Sequence, residues 1–584
     1  MTKRKPTRTS LSPWQTSFLN DLRTLAAQQP HDLRITGQPT ATSDGRVSIG
    51  LRLFIAGLPM EEAGLPLKDE EDFVVILSGD SLQAPMVEVE HDRFVGHPHV
   101  LQGRRLCLYL DPSREWDPVG GTTAFLNRLW QWLTDASEGR FNASTALYHA
   151  VGGVLHQTSG TPTVVVRQFG VGRHVQLGWL ETRSSHRLDL VSGGSGEDRM
   201  RAPVLTTAAY MPYGAGTTLA ELLALLTTQP VGGERPGASS LAEQSAAFLA
   251  ALAASAARRP HDSPQYFVLA VPNPAGGPDH LLGGRLTPPT ANLLRHKVKQ
   301  HGVAATVVSL SADDVETPIE WCTVSDERPA VTTRRDSGRP VRSFRGKHVY
   351  IWGCGGIGSW AAEFIARSGA TQITLCDPAN ITGGLLIRQN YTETDIGSTK
   401  ADALARRLNA ISDGLKVEVV PWLSLDEATR AVTMADVVID ATVSLSVGRL
   451  LDALADNPDR RAVLAQIATD ARTGCLGIVA VSALGDSVGP STIDRQVGPV
   501  VLGDPRMELY HSLWQEPLED DELVPTRGCS VPTYHGSAAD MAAVAGSLVT
   551  FLGNHLRAAQ VSGTHLCALP HAHGGPAHRF LPYS

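Results

Sequence analysis

Between residues 348 and 400 the chain concentrates groups suited to holding a phosphate-bearing nucleotide. Gly353-Cys354-Gly355-Gly356-Ile357-Gly358 directly follows the apolar run His348-Val349-Tyr350-Ile351-Trp352, and a helical pattern runs from Ser359 to about Ser368. Glycines permit a tight turn and close approach of backbone N–H groups to a phosphate, helped by the helix N-terminus. A second strand-like run, Gln372–Cys376, closes on Asp377, where a carboxylate can hydrogen-bond ribose hydroxyls. Strand, glycine turn, helix, strand and acid in that register predict a nucleotide site. Arg388-Gln389-Asn390, Gly397-Ser398-Thr399-Lys400 and Asp440-Ala441-Thr442-Val443 follow.

Two thiols are candidates for nucleophilic chemistry. Cys529 lies in the polar, proline-bounded loop Pro525-Thr526-Arg527-Gly528-Cys529-Ser530-Val531-Pro532-Thr533, ahead of a predicted helix over 537–558. Nearby Arg527 and a following helix favour the thiolate. Cys107, in Leu106-Cys107-Leu108-Tyr109-Leu110, reads alone as a small hydrophobe in a buried strand. His97-Pro98-His99 before it and Trp116-Asp117-Pro118 after it argue for more. A metal cluster of His91, His97 and His99 is a lesser reading of the same segment. Cys354 and Cys376 are explained by packing. The seven cysteines are scattered and form no Cys-x-x-Cys pair, against a disulfide framework or a local zinc site.

The elements that must position these groups fall into three parts. Over 1–150 a helix at 15–35, strands at 46–55, 73–78 and 85–89, and an amphipathic helix at 121–137 (Phe125, Leu129, Trp130, Leu133) make a compact α+β unit. Residues 151–330 mix strand-like runs (162–168, 266–270) with Ala/Leu-rich helical patterns (218–227, 241–257) and carry no motif with chemistry. A charged linker with Pro and Gly is predicted over about 325–346, and 331–584 reads as α/β. At 584 residues several cores are expected. Apolar content of 42% and charged content of 19% describe a globular chain, and a net charge of −8 offers no basic field for nucleic acid or an anionic membrane. The basic opening, Met1-Thr2-Lys3-Arg4-Lys5, reads as a frayed tail, and no run approaches the roughly 18 apolar residues of a membrane span. The cytoplasm is the expected compartment.

The stretch from Gly353 to Lys400 resembles the ThiF/MoeB/E1 superfamily of adenylating enzymes, over about 345–555. The resemblance implies a Rossmann-like fold that binds ATP at Gly353, Gly355, Gly356 and Gly358. It puts Asp377 on the ribose, Arg388 and Lys400 at the phosphates, Gln389 among the cofactor-binding residues, and Mg²⁺ on Asp440. Cations there would bring an anionic carboxylate and a triphosphate together. Two positions depart from the pattern: Leu385 replaces an Asn, and Val443 replaces a second Asp. Cys529 sits where E1-like enzymes carry their thioester-forming Cys. Residues 15–150 resemble ubiquitin-conjugating (E2, UBC-like) enzymes, where His-Pro-Asn precedes the catalytic Cys and a Trp-x-Pro follows. Cys107 then becomes catalytic, and His99, in place of the Asn, becomes a donor to the oxyanion.

Both resemblances in one chain match the E2–E1 fusions of bacterial ubiquitin-like conjugation systems, especially those of type II CBASS antiphage operons. That architecture implies activation of a partner protein's C-terminus, with a cGAS-like nucleotidyltransferase or a ubiquitin-like protein as partner. It further implies a lysine acceptor and a homodimer. A sulfur-carrier adenylyltransferase with a non-catalytic N-terminal module is the second reading, and a nucleotide-binding scaffold the third.

Overall fold

The computed structural model describes residues 11–583 apart from internal stretches, the longer of which include 142–157, 228–237, 516–522, 526–529 and 571–576. Cys529 and Val443 lie outside the described residues. The chain divides into two compact units, Met1–Thr333 and Arg334–Ser584.

The first unit opens on the helix Pro13–Gln28, started by a capping box in which Ser12 and Gln15 exchange side-chain-to-backbone hydrogen bonds. The predicted helix ran to 35. It stops at Gln28 because Pro30 bars helical backbone before it, and the chain continues as strand β1, Leu33–Ile35. With β2 (Thr40–Ala41), β3 (Val47–Phe54), β4 (Glu70–Leu77), β5 (Met86–Glu88), β6 (Val100–Leu101) and β7 (Arg105–Leu106) it forms an antiparallel sheet ordered β1-β3-β4-β5-β7-β6, with β2 on β3. Alternation in β3 and β4 buries Val47, Ile49, Leu51, Leu53, Phe73, Val75 and Leu77. The helix Gly121–Ser137 contributes Phe125, Leu129, Trp132 and Leu133 to the same core. Trp130, read from the sequence as part of that face, is 41% exposed, being too far around the helix from Phe125 and Leu129.

A second sheet of this unit has the order β14-β13-β12-β11-β9-β10-β8-β15. Its strands are β8 (Thr163–Val166), β9 (Val175–Ser184), β10 (Arg187–Val191), β11 (Arg199–Thr206), β12 (Gln265–Val271), β13 (His280–Leu286), β14 (Ile319–Cys322) and β15 (Val324–Asp326). Pairing is mixed: β8 with β10, β8 with β15 and β11 with β12 are parallel. Apolar residues of the helices Leu219–Thr227 and Ala238–Ala256 share a core with β11, β12 and β13.

The predicted linker is partly structured. Its first residues form β15, and Pro340–Phe344 makes a 3₁₀ turn that buries Phe344 completely in the core of the second unit. Gly553 of the helix Ala538–Ala558 admits this turn, since a Cβ there would lie 2.7 Å from the Pro340 carbonyl oxygen.

The second unit is α/β around the sheet β18-β17-β16-β19-β20-β21-β24-β25. Strands β16 (His348–Trp352), β17 (Gln372–Cys376), β18 (Lys416–Val419), β19 (Val437–Asp440) and β20 (Val463–Thr469) are parallel. Strands β21 (Leu476–Ser482), β24 (Gly563–Ala568) and β25 (Ala577–Pro582) extend the sheet antiparallel, and β22 (Leu523–Pro525) and β23 (Ser530–Pro532) pair apart from it. Alternate residues of β16 enter opposite cores, which is why the run reads as continuously apolar. Val349 and Ile351 join residues of the helices Gly356–Arg367 and Ala538–Ala558, whereas Tyr350 and Trp352 join those of Leu425–Met434 and Leu445–Leu454. Among the described residues no helix is long and apolar enough to cross a membrane.

Candidate active site

Five parallel strands present their carboxyl ends on one edge of the second unit, and a cavity of about 740 Å³ opens there. Gly353 leaves β16 at φ +88°, and a Cβ on it would meet the Ala441 backbone at 2.8 Å. A Cβ on Gly358 would stand 2.0 Å from the Gly353 carbonyl oxygen, so helix and strand approach only because both positions are glycine. Gly355 differs: nothing lies within 4 Å of its would-be Cβ. It is the N-cap of the helix Gly356–Arg367 and supplies no side-chain cap, so the first N–H groups of a 12-residue helix are left for a ligand at the cavity wall formed by Gly353, Gly355 and Gly356.

Asp377, at the end of β17, lines the cavity and stiffens the loop: its Oδ2 accepts from the Cys354 N–H at 2.8 Å and its Oδ1 from the Ala379 N–H at 2.9 Å. The Lys400 N–H in turn donates to the Ala379 carbonyl at 2.8 Å. That link places Lys400, first residue of the helix Lys400–Asn409, on the cavity wall near Asp377. Tyr391, unnoticed in the sequence, joins the two parts: its hydroxyl donates to the Cys354 carbonyl at 2.7 Å and lies 3.2 Å from that of Lys400. An aromatic following the Arg-Gln-Asn run is the signal that could have found it.

The segment Arg388–Asn390 is clamped to the first helix. Ser359 Oγ accepts from the Asn390 N–H, Trp360 Nε1 donates to the Arg388 carbonyl, and Glu363 accepts from Asn390 Nδ2 at 2.5 Å and Arg407 Nε at 2.6 Å. Burial opposes charge on Glu363, but hydrogen bonds from Arg407, Asn390 and Arg367 hold its carboxyl below the usual range. The clamp places Gln389 on the cavity wall, buried, with its Oε1 unpartnered. Arg388 is half-buried and is not among the described residues that line the cavity.

Asp440 ends β19 fully buried, and its Oδ1 accepts from the Thr442 N–H at 2.9 Å and hydroxyl at 2.6 Å. Burial raises its pKa, partly offset by these bonds. Its Oδ2 has no hydrogen-bond partner, and Ala441 and Thr442 rather than Asp440 line the cavity. Among the described residues no three His, Cys, Asp or Glu side chains gather as a metal cluster. The orphaned Asp440 Oδ2 fits a cation ligand, whereas its place off the cavity wall and its raised pKa count against one. Cys354 is wholly buried, whereas Cys376 borders the cavity from β17.

In the first unit the sequence predicted a strand through Cys107. The strand stops at Leu106 instead. His99, in the left-handed region at φ +61°, turns its carbonyl toward Cys107, whose N–H donates to it at 2.8 Å rather than to the sheet. Histidine, like asparagine, is enriched among residues that adopt this conformation. The His99 ring packs on Phe141 with centroids 4.6 Å apart. Trp116 anchors the following loop, donating from Nε1 to the Ser81 carbonyl at 2.8 Å with its ring edge-on to Trp14 and Tyr109. Cys107 is 7% exposed, and burial together with Glu115 pushes its thiol pKa up to about 11, against the pull of Arg128. His91 faces Glu71 at 3.3 Å, beside Arg93, and burial lowers the pKa of His97.

Comparison with known proteins assigns the segments. Residues 27–151 match the prokaryotic E2 family A, 198–327 the Cap2 central linker domain and 337–549 the ThiF family. The chain is 31% identical over 128 residues to an ATP-dependent ubiquitin transferase-like protein Cap2 of Enterobacter hormaechei, covering 21% of each chain. It is 36% identical over 90 residues to the tRNA threonylcarbamoyladenosine dehydratase of Escherichia coli (15% of this chain, 34% of that one). It is 29% identical over 114 residues to the molybdopterin-synthase adenylyltransferase of E. coli (19% and 45%). The matches thus span less than half the length of these relatives. A crystal structure of E. coli MccB with ATP overlaps 42% of this chain and 66% of its own at 15% identity and a TM-score of 0.30. The middle region, mute in its motifs, is accounted for by the linker family. A prokaryotic E2 family A domain first, a Cap2 central linker domain next and a ThiF family domain last give the chain the domain order of an E2–E1 fusion protein.

Proposed function

We propose that this chain uses ATP to activate the C-terminal carboxylate of a partner protein, captures the acyl group on Cys529, and passes it through Cys107 to a lysine amine. One observation carries the reading: the uncapped N–H groups beside Gly355, Lys400 and Gln389 border a single cavity next to Asp377. The glycine loop and helix N-terminus hold phosphates, and Asp377 keeps lone pairs for ribose hydroxyls. The partner's carboxylate oxygen attacks the α-phosphorus and pyrophosphate leaves. Lys400, with Arg388 from its clamped segment, offsets the charge that builds up. Mg²⁺ held by Asp440 Oδ2 would supply further charge neutralisation.

The Cys529 sulfur then attacks the acyl carbon and AMP departs. Transfer to Cys107 forms a new S–C bond as the old one breaks, and the Cys107 proton ends on Cys529. Attack by the lysine amine frees the Cys107 thiol and leaves an amide. A buried thiol with a raised pKa loses its proton only as transfer proceeds, which protects it from stray electrophiles. Fusion of the two modules keeps the second transfer intramolecular.

The partner we propose is a cGAS-like nucleotidyltransferase of a CBASS operon, with a ubiquitin-like protein as the variant reading. The enzyme would act as a cytoplasmic homodimer. The likeness to an ATP-dependent ubiquitin transferase-like protein Cap2 supports the ATP-dependent transfer itself. Likeness to a molybdopterin-synthase adenylyltransferase favours the second reading, a sulfur-carrier adenylyltransferase whose N-terminal domain is not catalytic.

Intact-mass analysis without reductant, on full-length protein co-expressed with its genomic neighbours, separates them. A thiol-labile adduct on wild type that is retained in Cys107→Ala and absent in Cys529→Ala supports the relay. Conjugates formed equally well by Cys107→Ala reduce the N-terminal domain to a passenger. No adduct and no ATP–pyrophosphate exchange defeat the reading.

A further inference from the structure

Trp422 borders the nucleotide cavity yet is 69% exposed. Large aromatic rings normally gain free energy by leaving water, so an indole held out at a cavity wall lacks an apolar neighbour on one face. The sheet order locates it. Across the carboxyl edge the walls run from Trp422 and Leu423 beyond β18, through Asp377 at β17 and the glycine loop at β16, to Thr442 and Ser444 past β19 and Ile467 to Thr469 on β20.

A nucleotide with phosphates on the glycine loop and ribose on Asp377 extends its base past Asp377, toward β18. Among the described residues lining the cavity only Asp377 and Lys400 carry charge, so the β18 end offers an aromatic and aliphatic wall. The β19–β20 end is left for the acyl group. We propose that Trp422 is the stacking platform for the nucleobase, its exposed face being covered when the base arrives. This rests on the reading of the second unit as an ATP-using domain. Stacking of a base on an aromatic ring is sequence-tolerant and gains affinity from the π-face without a hydrogen-bond code.

Calorimetric titration of the full chain with ATP·Mg²⁺ and, separately, with inorganic tripolyphosphate tests the assignment, because tripolyphosphate has no base. Trp422→Ala should weaken ATP binding by about tenfold or more, with Trp422→Phe retaining most of it, while tripolyphosphate affinity stays as in wild type in both. Lys400→Ala should weaken both ligands. Thermal melting of each variant checks that the fold survives, and an exposed residue gives little reason for it not to. ATP affinity unchanged in Trp422→Ala, with Lys400→Ala impaired, overturns the platform and leaves the indole to another occupant such as the partner's tail. Equal weakening of ATP and tripolyphosphate by Trp422→Ala also overturns it, since the variant would then have disturbed the loop. Binding of neither ligand to wild type sinks the ATP reading itself, and the platform with it.

Discussion

The two candidate centres are built on opposite plans. The candidate nucleotide site is an open cavity made largely of backbone, in which glycines and strand ends present N–H groups before any ligand arrives. The Cys107 site is closed: the thiol is buried, its backbone is held by the carbonyl of a strained neighbour, and low dielectric keeps it protonated. A site that must collect a soluble anion benefits from preformed donors and access. A site proposed to carry an acyl group past water benefits from a nucleophile that stays quiet until its partner is in place.

The largest expected effect breaks that contrast on the thiol side. Cys107→Ala should abolish conjugate formation while ATP–pyrophosphate exchange proceeds as in wild type, measured on the same preparation. Next, on the open side, Gly358→Ala drives a Cβ into the Gly353 carbonyl and should lower exchange by two orders of magnitude or more. Unchanged exchange would mean that the close approach of helix and strand is dispensable.

His99 sharpens the comparison, because the closed site depends on backbone conformation as well as on a side chain. His99→Ala should slow transfer to amine by roughly 10²-fold while sparing thioester formation, if the imidazole is the oxyanion donor. His99→Asn, tolerant of the same φ, should recover most of the rate. Equal single-turnover rates in all three proteins remove that role.

Smaller still is a pH effect on the resting thiol. With the Cys107 pKa at about 11, alkylation of that residue, followed by peptide mass spectrometry, should rise about tenfold per pH unit from 7 to 9 without levelling. A plateau near neutral pH would show an activated thiolate instead. The smallest concerns acid stability of the second unit. His565 lies buried between His555 and His578, with Nδ1 3.1 Å from His578 Nε2, and burial with these neighbours lowers its pKa to about 3. The unfolded chain then binds a proton that the folded one refuses, so stability is full above about pH 6.5 and falls as pH drops toward 3. The melting temperature should fall by several degrees between pH 7.5 and pH 5, and the drop should shrink in His565→Phe.

Much of this was legible in the chain itself. The run from His348 to Asp377 declares strand, turn, helix and strand because its chemistry is contiguous and mostly backbone, so spacing alone specifies it. The helices at 121–137 and 538–558 are similarly local. Tertiary structure decided the rest. Burial of Cys107, and hence its protonation, depends on strands and loops far apart in sequence. The clamp of Glu363 on Asn390 and Arg407, the Tyr391 bridge, the retreat of Asp440 behind Thr442 and the place of Trp422 beside the cavity are all long-range, set by which segments the sheet order brings together. Local pattern sets which elements form. Desolvation and cross-chain pairing set what each side chain can do, and both exist only once the sheet has closed around them.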